Sequence, residues 1–556
     1  DLHSLDIASG KIVKLTRDGS PTRLNAELDW VYPEELALPS AHWWSPDSRW
    51  IALLQFDTSA VPAYPHGDLT RLRPVFEPER YSQAGTPNSK VRLGVVAAGG
   101  GKVRWLELGA EERLIGRVTW LPDSSALAVH LLTRTQKELE LRMISLRDGK
   151  GRTIVRESDK TWVNLGDDFR FLTKSREMIW GSERSGYRHS YLQPLDGGAA
   201  RAITQGEWEV TNLACVDETA RRIFYVSTEP DARQRQFYSI GFDGSGKRRL
   251  TQTRGTHAVS MPDSCGHWVD AHSSLADPPS QSLHGPDGGS IALLQAPAAS
   301  EFDLLPEEFV DFRAADGDLF HARLIKPAGW DLARKYPAVV QVYGGPHAQN
   351  VKDQWHGPDW DQYLAHRGFV IWQVDNRGTA GRGHAWESRL YRRFGKQELS
   401  DQLEGVKHLV SMGFVDPERI AINGWSYGGF MTLYSLLNAP DTFRAGIAGA
   451  PVTDWRQYDT IYTERYLGLP QENEDGYEAS SPVHQAGALE ARLLMLHNFE
   501  DDNVLFQHSM RMMDALQKAG KQYESLLYPQ KTHGVTGSVR KHMLEAMTSF
   551  LERNLK

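Results

Sequence analysis

Ile420-Ala421-Ile422-Asn423-Gly424-Trp425-Ser426-Tyr427-Gly428-Gly429-Phe430-Met431-Thr432-Leu433-Tyr434-Ser435-Leu436-Leu437 reads as a strand, a sharp turn and a helix in immediate succession. The turn is G-x-S-x-G in the setting that this pattern requires. Its glycines are needed because neighbouring chains come close, and the bend lifts the Ser426 hydroxyl to the C-terminal edge of a sheet. The Tyr427 amide falls in the first helical turn, where free N–H groups and the helix dipole stabilise an oxyanion. The stretch implies a nucleophilic serine on an α/β-hydrolase sheet.

A serine nucleophile needs a base, and the base needs an orienting carboxylate. On this fold they follow in the order Ser, acid, His. The strand Arg492 to His497 runs into an acidic loop, Glu500-Asp501-Asp502-Asn503-Val504, and the strand Tyr523 to Tyr528 into Thr532-His533-Gly534. Chain order singles out His533 among the 20 histidines. The loop alone leaves Asp501, Asp502 and Glu500 as rival acids. His497 is expected to pack within its strand.

The surrounding sequence alternates strands with helices from about residue 305: strands at Ala338 to Val342, Phe369 to Val374 and Arg419 to Asn423, helices at Leu399 to Met412, Phe430 to Leu437 and Ser538 to Leu555. Alternation of this kind predicts a mostly parallel sheet covered by helices on both faces.

Residues 1 to about 300 follow another grammar: short strands, Trp, Gly and Asp-Gly turns. Tyr191 to Gly197, leading to Ala202-Ile203-Thr204, recurs as Tyr238 to Gly244, leading to Arg249-Leu250-Thr251, at an offset of about 47 residues, the size of a propeller blade. Looser copies lie at Leu2 to Asp6 and Met143 to Gly149. Trp44-Ser45-Pro46-Asp47 and Trp120-Leu121-Pro122-Asp123 read as turns opening equivalent strands. About five repeat units are visible, and the pattern predicts a chain that begins inside a blade, so an N-terminally incomplete propeller is expected. The Pro-, Gly- and Ser-rich stretch Leu275 to Ala299 reads as the propeller's end and its crossing to the next domain. The expected division is an all-β propeller at 1–300 and an α/β-hydrolase domain at 301–556.

At 556 residues the chain is too long for one core. A formal net charge of -8 disfavours a nucleic-acid partner. No apolar run reaches the length of a membrane span, and no signal peptide opens the chain. Cys215 and Cys265 are the only cysteines. They exclude a disulfide framework and a structural zinc site, and buried free thiols are expected over a pair. No metal or cofactor is implied.

The elbow, Asp459-Thr460-Ile461-Tyr462-Thr463-Glu464-Arg465-Tyr466 and Asp501-Asp502-Asn503-Val504-Leu505-Phe506-Gln507 resemble the dipeptidyl peptidase IV branch of the prolyl oligopeptidase family, and the resemblance spans essentially the whole chain. It implies that Asp501 orients His533. It implies that Tyr343, in Val342-Tyr343-Gly344-Gly345-Pro346, donates its hydroxyl to the oxyanion beside the Tyr427 amide. It also implies a proline-sized pocket of Val452, Trp455, Tyr458, Tyr462, Tyr427 and Val504, with Asn503 on a substrate carbonyl. Flat aromatic walls suit a pyrrolidine ring. Asp29-Trp30-Val31-Tyr32-Pro33-Glu34-Glu35-Leu36 resembles the family's double-Glu motif, which would hold a substrate's ammonium two residues from the scissile bond. The expected activity is release of N-terminal dipeptides with Pro or Ala in the penultimate position. The alternatives are a propeller-gated oligopeptidase, an acylaminoacyl peptidase and a catalytically silent binding homologue. A homodimer, using the hairpin around Arg80 to Gly85 and the hydrolase end, and a periplasmic or secreted location follow from the same resemblance. The chain departs from the pattern at Asn498, where the family has Gly, and the earlier blade that supplies the family's Arg beside the Glu pair is not expected within residues 1–556.

Overall fold

The computed structural model describes residues 1–109 and 112–556. Its first half is a propeller-type array of antiparallel sheets. Among the described residues, four of these are four-stranded meanders, beginning at Leu114–Trp120, Phe169–Phe171, Val210–Asp217 and Thr256–Ser260. A fifth, five-stranded sheet is built on Trp50–Asp57 and Lys90–Ala97, and His3–Leu5 pairs with Ile12–Lys14 in a two-stranded fragment. The repeated Tyr191 and Tyr238 motifs occupy the third strands of adjacent blades, His189–Pro194 and Gln236–Gly241. The two Trp-x-Pro-Asp turns lead into Trp50–Asp57 and Ala126–Leu132, as equivalent strands require. An inner strand such as Ala126–Leu132 is buried throughout, on both faces of its blade. One such sheet cannot cover that surface alone, so blades stack.

Leu275 to Ala299 contains Ser280–His284 and Ser290–Gln295, the last two strands of the final blade, before the chain crosses to the next domain. One expectation is corrected. Cys215 and Cys265 are not free thiols but a disulfide, with Cα atoms 6.0 Å apart. The bond joins Val210–Asp217 to the turn before Trp268–Ser273, so it ties one blade to the next. The separation of 50 residues is close to one blade repeat, which returns the chain to an equivalent place on the neighbouring sheet.

The second half is one eight-stranded sheet: β1 Glu307–Arg313, β2 Leu319–Ile325, β3 Tyr336–Gln341, β4 Val370–Val374, β5 Val415–Trp425, β6 Ala445–Gly449, β7 Arg492–Asn498 and β8 Glu524–Tyr528. Spatial order is β1-β2-β4-β3-β5-β6-β7-β8, antiparallel at β1 and β2 and parallel from β4 onward. The central strands are apolar on both faces: Tyr336–Gln341 is buried along its whole length, as a sheet covered by helices on both sides demands. β5, β7 and β8 are parallel, so their C-terminal ends carry Ser426, Asp501 and His533 to one edge.

The propeller meets that edge through buried polar contacts. Glu464, fully buried, accepts two hydrogen bonds from the Arg134 guanidinium (2.6 and 2.7 Å) and one from the Gly85 amide (2.8 Å). A buried carboxylate is tolerated only when satisfied in this way. The hairpin Ala63–Asp68 and Val75–Arg80 continues into Tyr81, Ser82 and Ala84, all buried against this same edge. The Ala84 amide donates to the Tyr458 carbonyl (2.9 Å) and the Thr460 amide to that of Ser82 (2.9 Å). The Arg80 to Gly85 segment therefore faces mostly inward, and the outward surface of the hairpin is its tip, with Leu69, Leu72, Val75 and Phe76 exposed.

Candidate active site

Ser426 has φ 61° and ψ -120°, a strained conformation for a non-glycine residue, at the junction of β5 and the helix Tyr427–Asn438. The glycines around it answer to clearance. A Cβ on Gly424 or Gly428 would stand 2.4 or 2.3 Å from the Val342 carbonyl oxygen, and one on Gly429 would stand 2.3 Å from that of Gly449. The elbow is thus wedged between the ends of β3 and β6. The Ser426 amide donates to the Gly449 carbonyl (2.9 Å), which fixes the bend from the other side. Ser426 itself is half-buried and reachable.

Asp501 is fully buried. Its Oδ1 accepts the amides of Asn503 (3.1 Å) and Val504 (2.9 Å), and its Oδ2 accepts Nδ1 of His533 (2.9 Å). Burial alone would raise its pKa, but hydrogen bonds and charge from His497 and His533 win and hold it down at about 2. Conversely, burial would lower the His533 pKa, and Asp501 outweighs it, with Glu34 and Asp502 adding to the rise. Among the rival acids, Glu500 accepts the Lys531 amide (3.3 Å). The loops are locked together: the Trp425 indole donates to the His533 carbonyl (2.9 Å) and the Asn498 amide side chain to that of Thr532 (2.5 Å). Asn498 therefore replaces the expected glycine with a strut, in a residue that still pairs regularly with Tyr528. His497 is buried in β7 as expected, bonded to Ser509 Oγ and the Val504 carbonyl, and also 3.4 Å from Asp501.

The predicted pocket residues converge. Val452, Trp455, Tyr458, Tyr427 and Val504 are buried. Trp455 stacks on Tyr462 (6.2 Å, 12°), Tyr458 meets Tyr462 edge-on (5.4 Å, 88°), and Tyr427 lies 5.5 Å from Trp455. The Tyr427 hydroxyl is anchored on Glu398 (2.6 Å), leaving its amide as the group turned to the elbow. Burial pushes the Tyr343 hydroxyl up to about 12, so it remains a proton donor at neutral pH; its ring lies 6.0 Å from that of Tyr427.

Glu34 and Glu35 sit on the short helix Val31–Leu36, which the propeller presents to the sheet edge. Asn503 Nδ2 donates to Glu34 (2.5 Å), and Asn503 Oδ1 accepts the Tyr458 hydroxyl (2.7 Å). One residue of the acid loop thus joins the Glu pair to the aromatic pocket. Glu35 faces Asp459 within hydrogen-bond reach; burial first, then the neighbouring carboxyl, pushes Glu35 well above the usual range, and burial raises Asp459 too. The Arg465 guanidinium opposes this rise and donates to the Glu35 carbonyl (3.3 Å). Asp459, Arg465, Glu398 and Tyr81, whose hydroxyl donates to the Asn503 carbonyl (2.9 Å), were not singled out from sequence. Two of them lie inside the quoted 459–466 motif, which was the available signal.

This arrangement offers a half-buried serine hydroxyl, a carboxylate-tethered imidazole, the Tyr343 phenol beside Tyr427, a cluster of aromatic rings and a carboxylate pair joined to that cluster through Asn503. Residues 1–279 match the family model described as "Dipeptidyl peptidase IV (DPP IV) N-terminal region", and residues 357–556 match "Prolyl oligopeptidase family". The solved structure of Porphyromonas gingivalis dipeptidyl peptidase 4 superposes with a TM-score of 0.94 at 32% identity, covering 99% of this chain and 79% of that one. Curated relatives from Emericella nidulans include a "Probable dipeptidyl peptidase 4", 30% identical over 92% of this chain and 70% of its own length. A "Probable dipeptidyl-aminopeptidase B" from the same organism is 32% identical over 96% of this chain and 64% of its own. Fold, site and relatives agree: the chain belongs to the dipeptidyl peptidase IV branch of the prolyl oligopeptidase family and is a serine-type peptidase.

Proposed function

We propose that the chain releases dipeptides from peptides with a free N-terminus, with Pro or Ala in the penultimate position. The observation that carries this reading is the Asn503 bridge, which ties Glu34 to the pocket aromatic Tyr458 and so fixes the carboxylate pair relative to the pocket. The substrate ammonium pairs with Glu34 and Glu35, the penultimate side chain enters the slot of Val452, Trp455, Tyr458, Tyr462, Tyr427 and Val504, and Asn503 bonds a substrate carbonyl. Ser426 Oγ attacks the next carbonyl carbon as His533 Nε2 takes its proton, with Asp501 holding the imidazole. The Tyr427 amide and Tyr343 hydroxyl hold the oxyanion. His533 then protonates the leaving amine, and water, deprotonated by His533, releases the dipeptide from its Ser426 ester.

A blocked N-terminus leaves the Glu34 and Glu35 carboxylates without their cation, and loss of a matched polar contact discriminates strongly. Gly-Pro-p-nitroanilide is expected to be cleaved and its N-acetyl twin to be slower by about 10⁴ in kcat/KM. Equal rates would sink the ammonium clamp and move the chain to the oligopeptidase or acylaminoacyl peptidase side. No turnover of either, with no fluorophosphonate labelling of Ser426, would favour a silent binding homologue.

The base must be neutral to act. Because Asp501 raises the His533 pKa, kcat/KM is expected to fall on acidification through a midpoint above the ordinary histidine value of 6.5. A pH profile with its acid midpoint below that value would contradict the assignment.

We assign residues 1–300 to the substrate-gating propeller and 301–556 to the catalytic domain. A homodimer through the exposed hairpin tip and a periplasmic or secreted location complete the reading. The second is supported by the Cys215–Cys265 disulfide, which persists in oxidising compartments. Among the described residues no helix is long and apolar enough to cross a membrane.

A further inference from the structure

We infer that His347, clamped by Glu387, is a positioning residue that sets the loop carrying Tyr343, and that the propeller braces this clamp. The inference rests on the oxyanion role proposed above for Tyr343.

The loop leaves β3 at Val342 and reaches His347 four residues after Tyr343. Its backbone is pinned at two points: the Asn376 side chain donates to the Gly344 carbonyl (3.0 Å) and the His347 amide donates to that of Gly378 (3.0 Å). His347 has φ 60°, a left-handed conformation that a histidine keeps only when its surroundings impose it. Its side chain is held as well as its amide. His347 Nδ1 lies 2.6 Å from Glu387 Oε1, although more than half of the His347 side chain is open to water.

Glu387 is buried and has a second tie. Its Oε2 accepts Asn164 Nδ2 (2.8 Å), from the segment between two propeller blades. Asn164 in turn accepts the Trp162 indole (2.9 Å) and donates to Glu183 (3.1 Å). The short helix His384–Glu387 is held by the propeller at its N-cap and its first residue: the Gly383 amide donates to Glu209 (2.6 Å) and the His384 amide to the Gly186 carbonyl (2.9 Å). The charged groups acting on His347 are Glu387 on that helix and Glu183 and Glu209 from two blades; His384 lies against Glu183 and Glu387, and Arg235 bonds Gln349 on the same loop. Glu387, with Glu183 and Glu209 adding to it, raises the His347 pKa above its ordinary value, and, against the effect of its own burial, His347 and His384 hold Glu387 down at about 2. The pair is thus charged below the raised His347 pKa and is lost as pH rises through it.

The test is a cycle of His347→Gln and Tyr343→Phe on Gly-Pro-p-nitroanilide. His347→Gln changes a solvated side chain, so the fold is retained where Glu387→Gln, in a buried site, risks losing it. His347→Gln is expected to lower kcat about 10-fold with KM unchanged and to remove the alkaline limb that the ion pair gives the wild-type kcat profile. Tyr343→Phe alone is expected to lose about 10²–10³. The double variant is expected to match Tyr343→Phe, because His347 acts through that hydroxyl. His347→Arg, which keeps the cation, is expected to recover part of the loss. An unchanged kcat in His347→Gln, or a change confined to KM, would overturn the inference. Losses that multiply in the double variant would overturn it too while leaving the oxyanion role of Tyr343 intact. Full activity in Tyr343→Phe would remove the oxyanion role and this inference together.

Discussion

Ser426→Ala is expected to lower kcat/KM on Gly-Pro-p-nitroanilide by about 10⁶ while the protein still binds the substrate. The size of the effect follows from the chemistry lost. Without Oγ no ester forms, and the two oxyanion donors and the substrate contacts can assist only direct attack by water. The substitution leaves the wedge intact, because the tight contacts belong to the glycines and to the Ser426 amide, not to its side chain. Thermal unfolding should therefore shift little, apart from any relief of the strain at φ 61°. A residual rate within 100-fold of wild type, in protein free of the parent enzyme, would remove Ser426 from the mechanism.

Asp501→Asn is expected to cost about 10⁴ in kcat. The amide is nearly isosteric, and Oδ1 can go on accepting the Asn503 and Val504 amides. What changes is the atom facing His533: an NH₂ donor replaces the acceptor Oδ2. The imidazole then turns its lone pair to Nδ1 and its proton to Nε2, and cannot take the Ser426 proton. Two measurements separate this from simple unfolding. The variant should keep the wild-type near-UV spectrum, and its remaining activity should show an acid midpoint moved down, since the group that raised the His533 pKa is gone. A loss below 100-fold would return the choice of acid to Glu500 and Asp502.

Much of this site is legible in the chain because it is local. The strand-to-helix elbow, the two post-strand loops and the blade repeat each occupy a short window with its own periodicity, and the sheet delivers all three catalytic candidates to one edge without further instruction. What is not legible depends on contacts across hundreds of residues. The Asp459 carboxyl meets Glu35 only after the propeller docks on the sheet, and neither residue's neighbours in sequence announce it. The same holds for Glu464 with Arg134 and for His347 with the blades behind Glu387. The Cys215–Cys265 bond was hidden for a related reason: two cysteines in adjacent blades look unrelated until the repeat is folded. Asn498 looked like a defect in a motif and is a connection between the acid and histidine loops, because β7 there has ordinary backbone that needs no glycine.

The elbow has no play. Gly424 and Gly428 bear on one oxygen at the end of β3, and Gly429 bears on one at the end of β6, each at a distance shorter than any side chain could occupy. A joint fitted that closely cannot absorb error. A slight slide of either flanking strand, started by a substitution several residues upstream, reaches the serine hydroxyl undamped. Such changes would reach catalysis before stability, so for this chain the turnover rate is a finer gauge of strand alignment than the melting temperature.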